Sequence, residues 1–283
     1  MFDNYRLFRK NTWFILFFFF LIFLFLCFYI FSKNDERNNI SRDNIKVAVL
    51  DSGIDKKNYY LKDRVVKEFN SIDRKNIKDV FWHGTPIAAI ITSKNNDVSI
   101  SQNVDLYSIK VMKDDGKISR EAFINGFEWA ISEDVDIINL SFGFHKNFSD
   151  LNRLVEKALN KGIIIVAASG NNYGLNSQFP ARYDNVISVG SFEKIGKVSN
   201  FSSMGKVDFF APGVDVLSIS DKEGNFFYTG TSYSTPYVTG VIANFLFDSD
   251  IKKDYDIHSK VFSYLEKKSI KKNDNTLFFL NDK

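Results

Sequence analysis

Three residues bring a carboxylate, an imidazole and a hydroxyl to the edges of apolar runs: Asp51, His83 and Ser232. These are the groups that orient, accept and release protons in nucleophilic catalysis, but each has an ordinary reading too. Asp51 directly follows Val-Ala-Val-Leu in Asp51-Ser52-Gly53-Ile54-Asp55. An aspartate there serves equally as a turn residue or helix cap, and Gly53 permits a sharp turn. His83 opens His83-Gly84-Thr85 and precedes Pro86-Ile87-Ala88-Ala89-Ile90, which predicts a helix starting just after it with proline near the first turn. Ser232 stands in Gly230-Thr231-Ser232-Tyr233-Ser234-Thr235-Pro236, ahead of an apolar helix over 238–247. An isolated Gly-x-Ser of this kind commonly marks a helix cap. The other two histidines, His145 and His258, are expected on the solvated surface.

The elements that would position these groups alternate. Buried-strand runs are expected at 47–50, 106–111, 136–140, 163–167 and 186–189. Amphipathic helical stretches lie between them at 119–132 and 149–161, the second closed by Gly162. Such alternation predicts an α/β fold with a mostly parallel sheet covered on both faces, a three-layer α/β/α arrangement. In such sheets a site forms beyond the carboxyl ends of the strands, where Asp51 falls. The chain has 283 residues, 45% hydrophobic and 25% charged, enough for one large domain with a buried core. Its 37 basic and 34 acidic residues are scattered, so nucleic acid is not an expected partner. The single cysteine, Cys27, lies in the N-terminal apolar run, which excludes a disulfide, a cysteine-ligated zinc or a thiol nucleophile in the remainder.

Taken together, the segments resemble the signatures of the subtilisin family of serine proteases. Val47-Ala48-Val49-Leu50-Asp51-Ser52-Gly53 is similar to its aspartate motif, His83-Gly84-Thr85 to its histidine motif, and Gly230-Thr231-Ser232 with Pro236 to its serine motif, in the family's order. The resemblance runs from about residue 45 to 247. It includes Asn139-Leu140-Ser141-Phe142-Gly143, Ala167-Ala168-Ser169-Gly170-Asn171, Phe179-Pro180-Ala181, and Phe201-Ser202-Ser203 to Ala211-Pro212-Gly213. It implies that Ser232 is the nucleophile, His83 its base, Asp51 the group that orients the imidazole, and Asn171 a side-chain donor to the oxyanion. It also implies a peptide or protein substrate bound by strand addition at Ser141, Phe142 and Gly143 and at Gly116, Lys117 and Ile118. Ala168, Ser169 and Gly170 would wall the pocket for the residue before the cleaved bond, with Asn172 at its rim. No acidic residue there demands a basic side chain.

The chain also departs from the family. Pro86 stands where a second histidine is usual and Tyr233 where methionine is usual, and 172–178 is shortened; these changes should alter pockets without removing a triad member. No cofactor is expected. Calcium sites are common in the family, but Lys94-Asn95-Asn96-Asp97 reads better as a surface turn. From Asp248 onward the closing Gly-rich motif is missing.

Ahead of the domain, residues 13–31 carry no charge and include nine phenylalanines; as a helix they would span roughly 28 Å, the thickness of a bilayer core. The expected organisation is a tail at 1–12, an uncleaved transmembrane helix at 13–31, a linker at 32–44 and a peptidase domain at 45–283. A first hydrophobic segment after a short tail acts as a signal anchor, which would leave the domain outside the cytoplasm, on a single-pass protein of the cell membrane. Arg6, Arg9 and Lys10 before the run are matched by Lys33, Arg37 and Arg42 after it, so charge alone does not orient it. The expectation is a tethered processing endopeptidase, compatible with removal of leader peptides from modified bacteriocin precursors. The competing class is a catalytically silent, tethered peptide-binding module; a serine esterase of the α/β-hydrolase type fails on chain order.

Overall fold

Alternate side chains of the first strand, β1 (Ile45–Asp51), go to opposite faces, and each face finds its own helices. Val47 and Val49 pack into a cluster with α1 (Gly84–Ile91) and α4 (Thr231–Ser249), while Ala48 and Leu50 join α2 (Arg120–Ser132) and α3 (Ser149–Leu159) on the other side. The same division is kept by Ile137 against Ile138 in β4 (Ile137–Leu140) and by Val166 against Ile165 in β5 (Ile164–Ala168). A sheet buried on both faces explains why these strands read as unbroken apolar runs.

The computed structural model describes residues 21–27, 43–75, 77–221, 224–249, 251, 253–254, 256–272 and 277–280. Residues Asn44–Lys283 form one compact unit and Met1–Asp43 another. Of the expected membrane segment only 21–27 falls within the described residues, where it is helical and exposed; the rest of 13–31 lies outside them. Among the described residues no helix is long and apolar enough to cross a membrane.

The remaining strands are β2 (Val65–Asn70), β3 (Val104–Lys110), β6 (Ile187–Lys194), β7 (Lys197–Val198), β8 (Phe209–Pro212), β9 (Val216–Ile219), β10 (Asn225–Tyr228), β11 (Ile270–Lys272) and β12 (Leu277–Phe279); a fifth helix, α5, covers Ile257–Lys268. The main sheet runs β2-β3-β1-β4-β5-β6-β8-β12-β11, parallel from β2 to β12, with β7 and β11 antiparallel additions and β9–β10 a separate hairpin.

All five expected strands and both expected helices form. Ser119 caps α2 by accepting the Ala122 amide at 3.1 Å, and Gly162 takes a positive φ just after α3. The serine helix starts at Thr231, seven residues before the apolar stretch at 238–247, and carries Pro236 inside it. The stretch from Asp248, for which the sequence offered no architecture, supplies α5 and a hairpin whose β12 extends the sheet beside β8. His258 is corrected: it is half-buried on α5, with Nε2 enclosed and unpartnered, and desolvation holds its imidazole below its ordinary pKa. His145 is exposed as expected.

Candidate active site

Asp51 ends β1 with its side chain fully buried. Its Oδ1 accepts the Ser52 amide at 2.7 Å and lies 2.8 Å from His83 Nδ1. An Nδ1–H tautomer makes that contact a hydrogen bond and leaves Nε2 with a lone pair. His83 occupies the N-cap position of α1. The helix can come this close to the strand because residue 84 has no side chain: a methyl there would stand 2.2 Å from Gly53 O and 3.0 Å from Asp51 Cβ. Burial pushes the His83 imidazole toward its neutral form, but the charge and hydrogen bond of Asp51, helped by the charge of Asp79, outweigh it and raise the pKa above 6.5.

Asp79, which the sequence reading passed over, is the second buried carboxylate here. Its Oδ1 accepts Ser52 Oγ at 2.6 Å and Trp82 N at 2.9 Å, and its Oδ2 accepts Thr85 N at 2.8 Å and the Thr85 hydroxyl. Burial pushes its pKa up against these bonds. Ser52 Oγ in turn accepts the amides of Gly84 (2.9 Å) and His83 (3.3 Å), so the carboxylate grips the turn that carries the imidazole.

Ser232 is the second residue of α4. From Gly230 to Ala243 it alone is not buried, and it stands at the positive end of a 19-residue helix. Its neighbour Tyr233 stands edge-on to the His83 ring at 5.7 Å and stacks on Tyr228 at 4.9 Å, which sets the serine turn beside the imidazole. Burial, reinforced by nearby negative charge, pushes the Tyr233 phenol well up, so it stays neutral.

Asn171 is tied to the same helix end. Its Oδ1 accepts Thr231 N and Thr231 Oγ1, both at 3.0 Å, which turns Nδ2 outward. A methyl placed on Gly230 would lie 3.4 Å from Asn171 Nδ2 and 3.8 Å from Ser232 N, so both nitrogens lie within 4 Å of one point.

The expected substrate segments fall around these groups. Ser141 is buried beyond β4 and bonded to Asn139, Gly143 is half-buried, and Phe142 turns inward to Phe123 and Phe144 at 6.1 and 5.8 Å. Phe142 therefore offers a cleft only its backbone. Gly116, Lys117 and Ile118 lie in a tight hairpin closed by the Met112–Ile118 bridge and by Lys113 N to Lys117 O at 2.8 Å; Phe81 packs on Gly116 and stands 6.3 Å from the His83 ring. Ala168 ends β5, Ser169 N donates to Val189 O, and Gly170 O accepts Ser203 N. Asn172 is half-exposed and donates to Asn176 O at 3.2 Å. Residues 94–97 form a turn in which Asn95 Oδ1 accepts the Asp97 amide at 3.1 Å while Asn95 Nδ2 donates to Asn225 at 3.0 Å. Asp79 and Gln178, whose side chain lies between Gly143 and Gly170, were missed. Asp79 sits four positions before the histidine motif; for Gln178 the signal was the shortened loop.

A parallel sheet under two helical layers, with an aspartate, a histidine and a helix-end serine arriving in that order at the carboxyl ends of its strands, defines the three-layer α/β class to which the subtilisins belong. The profile of the Subtilase family matches residues 42–272, and the chain belongs to that family. It is 36% identical over 208 residues to Subtilisin E of Bacillus subtilis (strain 168), covering 71% of this chain and 55% of that protein. It is also 36% identical over 208 residues to Subtilisin of Bacillus pumilus, covering 71% and 76%. The chain spans just over half the length of several of the curated relatives it matches. A cold adapted subtilisin-like serine proteinase of known structure superposes with a TM-score of 0.76 at 24% identity, covering 87% of this chain and 91% of that one, a likeness of fold.

Proposed function

We propose that this chain is a serine endopeptidase working through an acyl-enzyme. Ser232 Oγ attacks the peptide carbonyl carbon as His83 Nε2 takes its proton, and the carbonyl electrons move onto oxygen. Asn171 Nδ2 and Ser232 N donate to that oxyanion. Collapse breaks the C–N bond and His83 returns the proton to the leaving amine. Water then attacks the ester, gives its proton to His83, and the acid departs as Ser232 Oγ is reprotonated. Asp51 keeps its negative charge throughout, holding the ring and stabilising the imidazolium. The observation that carries this reading is the 2.8 Å contact of Asp51 Oδ1 with His83 Nδ1 beside the one unburied residue of the serine turn.

A fluorophosphonate probe tests it on the full-length chain in mild detergent. Labelling of the wild type and none of Ser232→Ala is expected; an unlabelled wild type would leave the silent peptide-binding module instead. We further propose that residues 13–31 tether the protein in the cell membrane with the domain outside and that its substrates are local precursors, supported by the uncharged, membrane-length run. Protease added to intact cells should then shave off the domain. Loss of the domain only after lysis would refute that orientation.

A further inference from the structure

Gly143 and Gly170 face each other at the carboxyl ends of two neighbouring strands, and the Gln178 side chain lies between them. A methyl on Gly143 would stand 2.6 Å from Gln178 Cβ and 2.9 Å from its Oε1; a methyl on Gly170 would stand 2.9 Å from Cδ and 3.0 Å from Cγ and Oε1. These separations are well inside van der Waals contact, so the carboxamide fits the gap only because both walls lack side chains. The backbone of Gln178 is pinned as well. Its N–H donates to Ser169 O at 2.8 Å, its carbonyl accepts Arg182 N at 3.0 Å, and the next residue, Phe179, bridges to Phe144 in both directions at 2.7 and 2.9 Å. The amide Nε2 lies 3.3 Å from His145 Nε2. Cβ cannot retreat while the main chain is held this way, and swinging the rest aside gives up the His145 contact and costs side-chain freedom.

We propose that Gln178 is the specificity-determining floor of the pocket for the residue before the scissile bond, so that the enzyme takes small side chains there, alanine or serine, and refuses leucine and phenylalanine. This rests on the peptidase reading above. The subtilisin resemblance lays that side chain along 168–170, and the space between that wall and Gly143 is already filled by Gln178. A short side chain stops above the carboxamide, and a serine hydroxyl can pair with its oxygen or its N–H. A long side chain must displace it.

The test uses the full-length chain and peptides that differ only in the residue before the cleaved bond: alanine, serine, leucine and phenylalanine. A single mismatched methylene in a pocket is worth about 10–200-fold, so kcat/KM for alanine and serine should exceed that for leucine and phenylalanine by at least about tenfold. Gln178→Gly should raise the leucine and phenylalanine values by a similar factor while alanine changes only a few-fold; Gln178→Ala should fall between. Equal cleavage of the large side chains by the wild type, or an unchanged ratio in a Gln178→Gly protein that still takes the fluorophosphonate label, overturns the inference. Calorimetric binding of the same peptides to Ser232→Ala reads the pocket without turnover. The same order is expected there, and a flat or reversed order overturns the pocket. An unlabelled wild type refutes the peptidase reading separately, with the binding order still judging Gln178.

Discussion

Ser52 has one hydroxyl proton and two carboxylates to give it to. Asp79 Oδ1 at 2.6 Å wins over Asp51 Oδ1 at 3.3 Å, which leaves the Asp51 oxygen to the Ser52 amide and to His83. The imidazole therefore faces one full carboxylate charge in direct contact and a second from Asp79, with the neutral phenol of Tyr233 against its ring and the ammonium of Lys110 behind Ser52 O at 2.8 Å. The neutral imidazole is the base, and its pKa lies above 6.5, so kcat/KM should fall as pH drops through a value above 6.5. Asp51→Asn removes both the charge and the acceptor; kcat should drop by roughly 10⁴-fold, the scale of losing the orienting carboxylate in serine proteases, and the residual acid limb should move to lower pH. A wild-type limb below 6.5 would contradict this electrostatic picture. Asn171→Ala should lower kcat by roughly 10²–10³-fold with KM little changed, the magnitude known for the oxyanion-hole asparagine of a subtilisin. An equal loss in KM would mean that Asn171 binds substrate instead of the oxyanion.

At the scale of elements, the site depends on how near α1 comes to the end of β1. A methyl on residue 84 collides with the backbone oxygen of Gly53 at 2.2 Å and stands 3.0 Å from Asp51 Cβ, two residues away at the end of the paired strand β1. Gly84→Ala should cost about 3 kcal/mol, the upper end for overpacking, or roughly 6–12 °C in melting temperature, and should abolish labelling of Ser232 below the melt as His83 shifts off Asp51. Labelling retained at the wild-type rate would show that the helix–strand spacing is dispensable. The same spacing explains what could be read from sequence. Asp51, His83 and Ser232 each sit where an apolar run meets a glycine-bearing turn, a local pattern that survives without the fold. Gln178 and Asp79 act through partners such as Gly143 and Ser52, 35 and 27 positions away, and each looks like an ordinary polar loop residue in its own neighbourhood. Strand β2 escaped notice because an edge strand carries charges such as Lys67 and Glu68 where a central one carries valine or isoleucine. The helix α4 was read short because Ser-Thr-Pro lacks apolar periodicity; hydroxyls stitch that turn to the backbone instead, Thr235 Oγ1 to Thr231 O at 2.8 Å and Thr239 Oγ1 to Thr235 O at 3.1 Å.

For the molecule as a whole, residues 44–283 contain no cysteine, so no disulfide helps hold the domain together, and its far edge depends on the final strand. Phe279 is fully buried, stacks on Phe210 at 5.6 Å and meets Phe192 edge-on at the same distance, while Leu280 N donates to Phe210 O at 2.8 Å. On the opposite face of β8, Phe209 packs on Phe262 of α5 at 5.1 Å. The chain thus returns to cover both sides of β8, whose other edge pairs with β6 and whose next residue, Gly213, accepts the Gly230 amide at 2.8 Å just ahead of the serine turn. Removing the last strand uncovers Phe210 and a row of backbone donors and acceptors, an edge that invites pairing between chains. Phe279→Ala should cost about 3–5 kcal/mol, against less than about 0.5 kcal/mol for the exposed Lys267→Ala as a control. Truncation after Ser269 should give a chain that associates in sedimentation and loses Ser232 labelling in parallel, because the strand it strips leads by one step to the serine turn. A monomeric truncated chain with full labelling would show that the terminal hairpin is an ornament on the sheet and that β8 holds its place from the β6 side alone.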